Sequence, residues 1–151
     1  IEFRIREVFK SLFNDFGIKR PKVAVLSIDP HVGDQGVIGN DDQNLLKPVL
    51  DKLKAESCDV KGPFASDSFF GSKSYKNFDA IVATYHDQGL IPFKTLTFGK
   101  GVNFTAGLDI VRTSPDHGTA YDISGKNMAN YDSFKSAIFA AVEIVKNREK
   151  N

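Results

Sequence analysis

The chain has 151 residues, 41% of them hydrophobic, which is enough for one domain or for half of a two-domain subunit. Twenty basic and nineteen acidic residues leave a formal net charge of +1, which argues against nucleic acid or an anionic membrane as partner. The single cysteine, Cys58, rules out an internal disulfide, and no stretch resembles a signal peptide or an apolar membrane span. We therefore expect a cytoplasmic protein that binds a small molecule.

Helical and strand periodicities alternate along the first half of the chain. Apolar residues three or four positions apart predict a helix over residues 1–16, which Gly17 can end. Strands are predicted at Lys22–Ile28, Asp59–Phe64 and Phe78–Tyr85. This alternation favours an α/β fold in which helices cover a mostly parallel sheet.

A further helix is predicted between the first two strands. Asp41 or Asp42 can cap it, and its apolar positions run as far as Leu53. Pro48 is tolerable there only at a kink or near the first turn.

The second half of the chain has shorter predicted elements. A turn of helix within Asp87–Thr95 is predicted to end at Pro92. Extended segments are predicted at Val102–Thr105 and Leu108–Thr113, before a long helix over Tyr131–Asn147. That helix has basic residues at its C-terminal end, which suit the helix dipole. The apolar side of the helix consists of Phe134, Ala137, Ile138, Ala141, Val142 and Val145.

Two of the three histidines come at the ends of predicted strands. His31 follows the first strand, and His86 follows the third. Because the carboxyl ends of parallel strands line one edge of a sheet, both imidazoles are expected to meet at one divalent metal ion. Two protein ligands are fewer than the usual three, so either Asp67 or Asp87 completes the set or the missing ligand lies outside the chain. For each histidine the alternative is a hydrogen-bonded side chain at an ordinary turn or strand end.

The loop after the first strand contains glycines at positions 33, 36 and 39. This spacing differs from the G-x-G-x-x-G pattern of a dinucleotide site. We interpret the segment as a loop that bends to bring His31, and with it Asp34, against a ligand. An ordinary surface turn is the alternative.

A cationic group follows the third strand. Lys94 and Arg112 can reach the edge where the histidines converge, and a phosphate or a carboxylate would bind there. Arg112 is predicted to end the strand that begins at Leu108. Exposure to solvent is the alternative for the group, and for Lys100 we prefer it.

Residues 116–130 form a polar segment with small residues before the last helix. Gly118 and Ala120 would let a flat ring approach the backbone. Asp122 could then accept hydrogen bonds from both hydroxyls of a ribose, which favours NAD over NADP because a carboxylate repels a 2′-phosphate. An irregular capped loop is the alternative.

Several of these motifs together resemble one enzyme family, the 4-hydroxythreonine-4-phosphate dehydrogenases. Residues 116–130 resemble the adenine-binding loop of the wider isocitrate and isopropylmalate dehydrogenase superfamily. Several motifs at matching spacings are more specific than any one of them. The matching motifs are Asp29–Gly33, Gly62–Phe69, Tyr85–Gly89, Gly99–Asn103 and Arg112–Thr119.

The resemblance implies a metal-dependent oxidoreductase of pyridoxal phosphate (vitamin B6) biosynthesis. Such an enzyme oxidises the C3 hydroxyl of 4-phosphooxy-L-threonine with NAD or NADP, and decarboxylation then gives 3-amino-2-oxopropyl phosphate. In that family three histidines from both subunits of a homodimer hold a divalent metal such as zinc, magnesium or cobalt. His31 and His86 match two of these ligands. The other matching positions are Lys94, Asn103 and Arg112 for substrate, and His117, Asp122 and Asn130 for cofactor; Asp67 and Asp87 are candidate catalytic carboxylates.

The chain departs from the family pattern in three places. Asp29 stands where asparagine is usual, and Gln35 interrupts a loop that is otherwise richer in glycine. The third metal histidine and a phosphate-proximal His-Thr pair have no counterpart, and the chain begins without methionine. We therefore interpret residues 1–151 as the carboxyl-terminal portion of a two-domain subunit whose amino-terminal half is absent, and expect this chain alone to be catalytically inactive.

Two other functions remain open. A related dehydrogenase of a phosphorylated four-carbon sugar acid could use the same metal and phosphate residues. Alternatively, the chain could be a non-catalytic binding or dimerisation module that keeps only the fold. The intact set of His31, His86, Lys94 and Arg112 argues against the second alternative.

Overall fold

The computed structural model describes residues 1–150 of the chain. The larger of its two sheets has three parallel strands. The strands are β1 (Lys22–Leu26), β2 (Asp59–Phe64) and β3 (Ala80–Val82), in the order β2-β1-β3. Both neighbours run parallel to β1. The predicted α/β class with a parallel sheet is therefore confirmed, although β1 and β3 are shorter than predicted.

The central strand β1 has a continuous apolar sequence because both of its faces are covered. Val23 and Val25 point into a cluster with Ile5 and Leu50. The alternate residues of β1, which lie on the other face, pack against Phe69 and its aromatic neighbours. A strand buried on two faces needs no alternation of apolar and polar residues, which explains the run that predicted it.

Helices connect and cover these strands. The helix before β2 starts with a π-helical turn over Asp42–Leu46, so Pro48 falls in the first turn of the α-helical part, where its missing N–H costs least. No helix within residues 1–150 combines the length and the apolar character needed to span a bilayer. The α-helices are α1 (Glu2–Asn14), α2 (Lys47–Ala55), α3 (Ser66–Gly71), α4 (His86–Thr97) and α5 (Asp132–Arg148).

Helix α1 is joined to the α2 region by ion pairs. The Glu2 carboxylate contacts Lys52 at 2.9 Å and Arg6 at 2.7 Å, and Arg6 also contacts Glu56 at 2.7 Å. The hydrogen bonds from Lys52 and then Arg6 lower the pKa of Glu2. These side chains are 31–57% exposed to solvent, which weakens ion pairs, so the apolar contact through the fully buried Ile5 contributes more to the attachment of α1.

The prediction that Pro92 ends its helix is wrong. Helix α4 continues through Pro92 to Thr97. A proline removes one backbone hydrogen bond, but the next turn is held in part by the Thr95 hydroxyl, which donates to the carbonyl of Ile91 at 2.8 Å. As a result Lys94 lies on the same helix as His86.

The predicted strand over 108–113 is also wrong. A two-stranded antiparallel sheet pairs β4 (Val102–Phe104) with β5 (Thr113–Pro115). Residues 108–110 precede β5 in an irregular segment, and Ile110 is 71% exposed. Their apolar sequence suggested a buried strand, but no partner strand lies beside them. Arg112 therefore precedes a strand and does not end one.

Helix α5 forms where predicted, but its buried face differs from the predicted one. It packs on β4 and β5, with Ser133 and Ala137 bonded to the segments of the small sheet, and its buried residues are Ser133, Ala137 and Ile144. Of the predicted apolar side, only Ala137 is buried in this chain. The stripe of Phe134, Ile138, Val142 and Val145 is exposed, because the small sheet contacts the adjacent face of the helix.

Candidate active site at the carboxyl edge of the sheet

A cavity of about 440 Å³ lies at the carboxyl edge of the parallel sheet. It is lined by Ser27 after β1, by Ser66 and Asp67 at the start of α3, and by Tyr85 after β3. His31 lines it as well. The edge of the sheet that was predicted to bind a ligand thus has a cavity, and residues that follow each of the three strands line this cavity.

The prediction that His31 lies directly at the end of a strand is wrong. Strand β1 ends at Leu26, and His31 lies in a tight turn with φ values between 42° and 77° from His31 to Gln35. Left-handed backbone of this kind is costly for residues with a side chain. Glycine is required at Gly33, since a Cβ there would collide with the carbonyl oxygen of Gly39.

The strain in this turn leads to a prediction at Gln35, an exposed residue with φ 55°. The change Gln35→Gly should stabilise the protein by about 0.5 to 1 kcal/mol. Removing the steric strain of a left-handed residue should stabilise the folded state by about 1–2 kcal/mol. Glycine also makes the unfolded chain more flexible, which offsets about 0.5–1 kcal/mol of that gain. Urea unfolding measures the difference. Gln35→Ala keeps the Cβ and should give no gain, and an equal gain from both changes would contradict the explanation.

Two aspartates hold the backbone on either side of this turn. The buried carboxylate of Asp42 accepts hydrogen bonds from the backbone N–H groups of Ile28 and Asp29, both at 2.9 Å. In return, the Asp29 carboxylate accepts from the backbone N–H of Asp41 at 2.9 Å. The prediction that Asp41 or Asp42 caps its own helix is therefore wrong, since neither side chain makes a cap bond and Asp42 instead fixes the segment that leads to His31.

His86 begins α4 and is well exposed. Its Nδ1 lies 2.7 Å from the Asp87 carboxylate, and both side chains are about four-fifths exposed. If the Asp87 carboxylate accepts a hydrogen bond from Nδ1–H, the unprotonated Nε2 remains available to bind a cation. Such a contact is what a metal-binding imidazole requires of its second nitrogen.

The described residues do not complete a metal site. Within residues 1–150, no group of three or more His, Cys, Asp or Glu side chains could hold a metal ion. Asp67 shares the cavity with His31 and shares a neighbouring groove with Asp87, but neither carboxylate completes a cluster with the histidines. The imidazole nitrogens of His31 and His86 suit a divalent cation chemically, but two ligands are fewer than the usual three, and His31 lines the cavity whereas His86 does not.

The predicted substrate residues lie on α4 and beside the small sheet. Lys94 is exposed and donates to the carbonyl of Asp116 at 3.4 Å, with the Asp116 carboxylate 3.9 Å away. Asn103 is exposed on β4. Arg112 is exposed and donates to the Thr105 hydroxyl at 2.9 Å. These three side chains are accessible to an anion, and the contact between Lys94 and Asp116 was not foreseen from the sequence.

The predicted cofactor residues surround a loop that has its own cavity of about 500 Å³. His117, Asp122 and Asn130 are all exposed, but none of them lines this cavity. The His117 ring contacts the carbonyl of Gly118, and Asn130 accepts a hydrogen bond from the backbone N–H of Asp132 at the start of α5. Asn130 therefore has a structural contact of its own.

Sequence reasoning missed two polar residues in the site. Asp42 appeared only as a helix cap, and Gln88 appeared only inside the motif Tyr85–Gly89. Gln88 lines the cavity and makes hydrogen bonds to residues after all three strands. No periodicity marks a residue whose partners are distant in the chain, so family motifs were the only available sign of it.

Comparison with known proteins places the chain among homologues along nearly its whole length. Residues 1–141 match the family described as pyridoxal phosphate biosynthetic protein PdxA. A relative from Bacteroides thetaiotaomicron, named 4-hydroxythreonine-4-phosphate dehydrogenase, is 47% identical over 150 residues. The match covers 99% of this chain and 41% of that protein. The chain thus spans less than half the length of this relative.

Solved structures agree with the sequence comparison. A 4-hydroxythreonine-4-phosphate dehydrogenase from Klebsiella pneumoniae superimposes with a TM-score of 0.77 at 36% identity, covering 97% of this chain and 44% of that one. A terephthalate 1,2-cis-dihydrodiol dehydrogenase from Burkholderia xenovorans gives 0.72 at 31% identity, covering 94% of this chain and 45% of that one. With its sequence match over residues 1–141, its parallel sheet and these structural neighbours, the chain belongs to the PdxA family.

Proposed function

We propose that the full-length protein is an oxidoreductase of pyridoxal phosphate biosynthesis that acts on 4-phosphooxy-L-threonine. Carbon C3 would lose a hydride to NAD or NADP, and the hydroxyl on C3 would lose its proton to a base in the site, which leaves a ketone at C3. The resulting β-keto acid would then lose carbon dioxide and give 3-amino-2-oxopropyl phosphate. The observation that carries this proposal is the carboxyl-edge cavity, lined by His31 and lying next to the α4 helix that carries His86 and Lys94, in a chain of this family.

The cationic residues would bind the anionic groups of this substrate. Lys94 and Arg112 are both exposed, and each has only polar contacts that a stronger anion could replace. An arginine can hold a phosphate or carboxylate through two N–H groups, whereas lysine acts as a point charge. Asn103 can supply both a donor and an acceptor.

His31 and His86 would hold a divalent cation such as zinc, magnesium or cobalt. When bound, the cation would lower the pKa of the substrate hydroxyl and stabilise negative charge on its oxygen. Asp87 would orient the His86 ring through the contact at 2.7 Å. Asp67 lies in the cavity beside His31, and as a carboxylate it is a candidate for accepting the proton.

The incomplete ligand set supports a further part of the proposal. We place the third ligand outside this chain, in an amino-terminal half and across a homodimer interface. Residues 1–151 would then be the carboxyl-terminal portion of each subunit, and this portion alone would be inactive. The relatives' greater length leaves room for such a half.

The nicotinamide cofactor would bind at the loop between β5 and α5. Asp122 is exposed and can accept hydrogen bonds from the two ribose hydroxyls, which favours NAD. His117 and Asn130 flank the same loop. The cavity at this loop is lined by small residues such as Ala120 and Gly125 together with Ile123 and Met128, which offer apolar surface to a flat ring.

Another substrate is the main alternative. The Burkholderia xenovorans neighbour is named for a terephthalate dihydrodiol, so a related fold is associated with a second substrate class. A phosphorylated four-carbon sugar acid is also compatible with Lys94 and Arg112, since it differs from phosphooxythreonine in having a hydroxyl group in place of the amine.

The experiment that tests the proposal measures initial rates of the full-length protein on phosphooxythreonine and on 4-phosphoerythronate. Reduction of NAD and of NADP is followed by absorbance, and carbon dioxide release is measured in parallel. We expect a higher kcat/KM on phosphooxythreonine, with NAD preferred. Faster turnover of the sugar acid would contradict the substrate assignment, and no turnover of either would favour a non-catalytic module.

A further inference from the structure

The side chain of Gln88 forms hydrogen bonds through both its amide nitrogen and its carbonyl oxygen at the candidate site. Its Nε2 donates to the carbonyl of Ser27 at 2.8 Å and to the hydroxyl of Ser66 at 2.7 Å. Its Oε1 accepts from the backbone N–H of Thr84 at 2.7 Å and lies 3.1 Å from the Thr84 hydroxyl. Both donor hydrogens of the carboxamide are therefore used, and Oε1 shares the one hydrogen of the Thr84 hydroxyl with the Ser27 carbonyl.

The three partners of Gln88 belong to three different strand ends. Ser27 follows β1, Ser66 begins the helix after β2, and Thr84 follows β3. Thr84 also donates from its hydroxyl to the carbonyl of Ser27 at 2.9 Å, which closes the network between β1 and β3. One side chain therefore joins the ends of the whole parallel sheet.

Each joined segment leads directly to a candidate site residue. The segment after Ser27 leads to His31, Ser66 is adjacent to Asp67, and Thr84 precedes His86 by two positions. A cation site tolerates only small errors in the relative positions of its ligands. A shift of one strand end against another would therefore weaken ligand binding at the site more than it would disturb packing in the core.

We propose that Gln88 is a positioning residue, which holds the segments carrying His31, Asp67 and His86 in the relative arrangement that metal and substrate binding require. This inference rests on the proposed function. Gln88 acts through its partners and need not touch substrate. Glutamate in its place would have nearly the same shape but would put a carboxylate oxygen against the Ser27 carbonyl, where Nε2 now donates.

The test uses the full-length protein with Gln88→Glu and zinc alone as the probe. Isothermal titration should show zinc affinity reduced by about 10- to 100-fold, the usual effect of losing an outer partner of a metal site. Amide hydrogen exchange of the metal-free protein should be faster at Thr84, because the hydrogen bond from its backbone N–H to the side chain at position 88 is disturbed. Ser66→Ala removes one of the two bonds that Nε2 donates, so it should fold normally and give smaller changes in the same direction.

Asn147→Ala is the matched control. Its side-chain amide donates to the carbonyl of Asp15 at 2.9 Å, at the contact between α1 and α5. This change should lower the melting temperature while leaving zinc affinity within about twofold of the wild type, as expected for a bond outside the site.

Unchanged zinc affinity and unchanged Thr84 exchange in folded Gln88→Glu protein would overturn the positioning role. If Gln88→Glu fails to fold, Ser66→Ala decides, and no effect of that change on either measurement would overturn the role. If the wild type itself binds no zinc, the metal part of the proposed function fails. Thr84 exchange in the metal-free variants then decides the inference separately.

Discussion

Replacement of His86 by alanine in the full-length protein is expected to remove bound divalent metal and to lower kcat/KM by at least about 100-fold. Loss of an outer partner already costs metal sites about 10- to 100-fold, and loss of a direct ligand from a set of three should cost more. Because the His86 side chain is largely exposed and its ring bonds to the adjacent Asp87, the change should leave the fold intact. Metal content by mass spectrometry and steady-state kinetics measure the two effects.

The same experiment has two companions within the chain. His31→Ala should give a comparable loss of metal, since His31 lies on the cavity at the same edge. His117→Ala is the control for metal content, because the remaining histidine contacts the carbonyl of Gly118 in a different loop. Unchanged metal content in both His31→Ala and His86→Ala would rule out the proposed ligands.

Replacement of Arg148 by alanine is expected to destabilise the protein by about 3 kcal/mol, the cost of leaving a buried charge without its partner. The Asp15 side chain is 4% exposed, and its carboxylate accepts from Arg148 Nε at 2.6 Å. Arg148 also donates to the carbonyls of Leu108 and Asp109 at 3.1 Å. Urea unfolding of the variant and the wild type measures the difference.

A double variant separates the pair from the packing around it. In Asp15→Asn with Arg148→Met, no charge is left buried, so the loss of stability should be smaller than for Arg148→Ala alone. Zinc affinity should not change in either variant, because this contact joins α1 to the end of α5. An Arg148→Ala protein as stable as the wild type would show that the Ser11 hydroxyl, which donates to the same carboxylate, and solvent already satisfy Asp15.

The histidines illustrate how much of the site could be predicted. Their place after apolar runs was visible in the sequence, and the structure puts His31 on a cavity at the expected edge. The backbone conformation that places them could not be predicted from the sequence. His31 lies in a left-handed turn whose backbone is held by Asp42, and this contact depends on a residue in the following helix.

The errors arose where a residue's partners decide its structure. Pro92 is compatible with a helix when the flanking turns are held, so the residue type alone did not place the end of α4. Ile110 is apolar but exposed, since no strand pairs with its segment. Periodicity describes what a segment can bury and does not say what is available to cover it.

The α/β class, the positions of the main helices and strands, and the family could all be predicted from the amino-acid sequence. These follow from local periodicity and from several motifs at matching spacings, which need no knowledge of distant contacts. Three features became visible only in the folded chain: the buried face of α5, the continuation of α4 past Pro92, and the bonds by which Gln88 joins three strand ends. Each of these depends on pairing between atoms far apart in the chain, which only folding brings together.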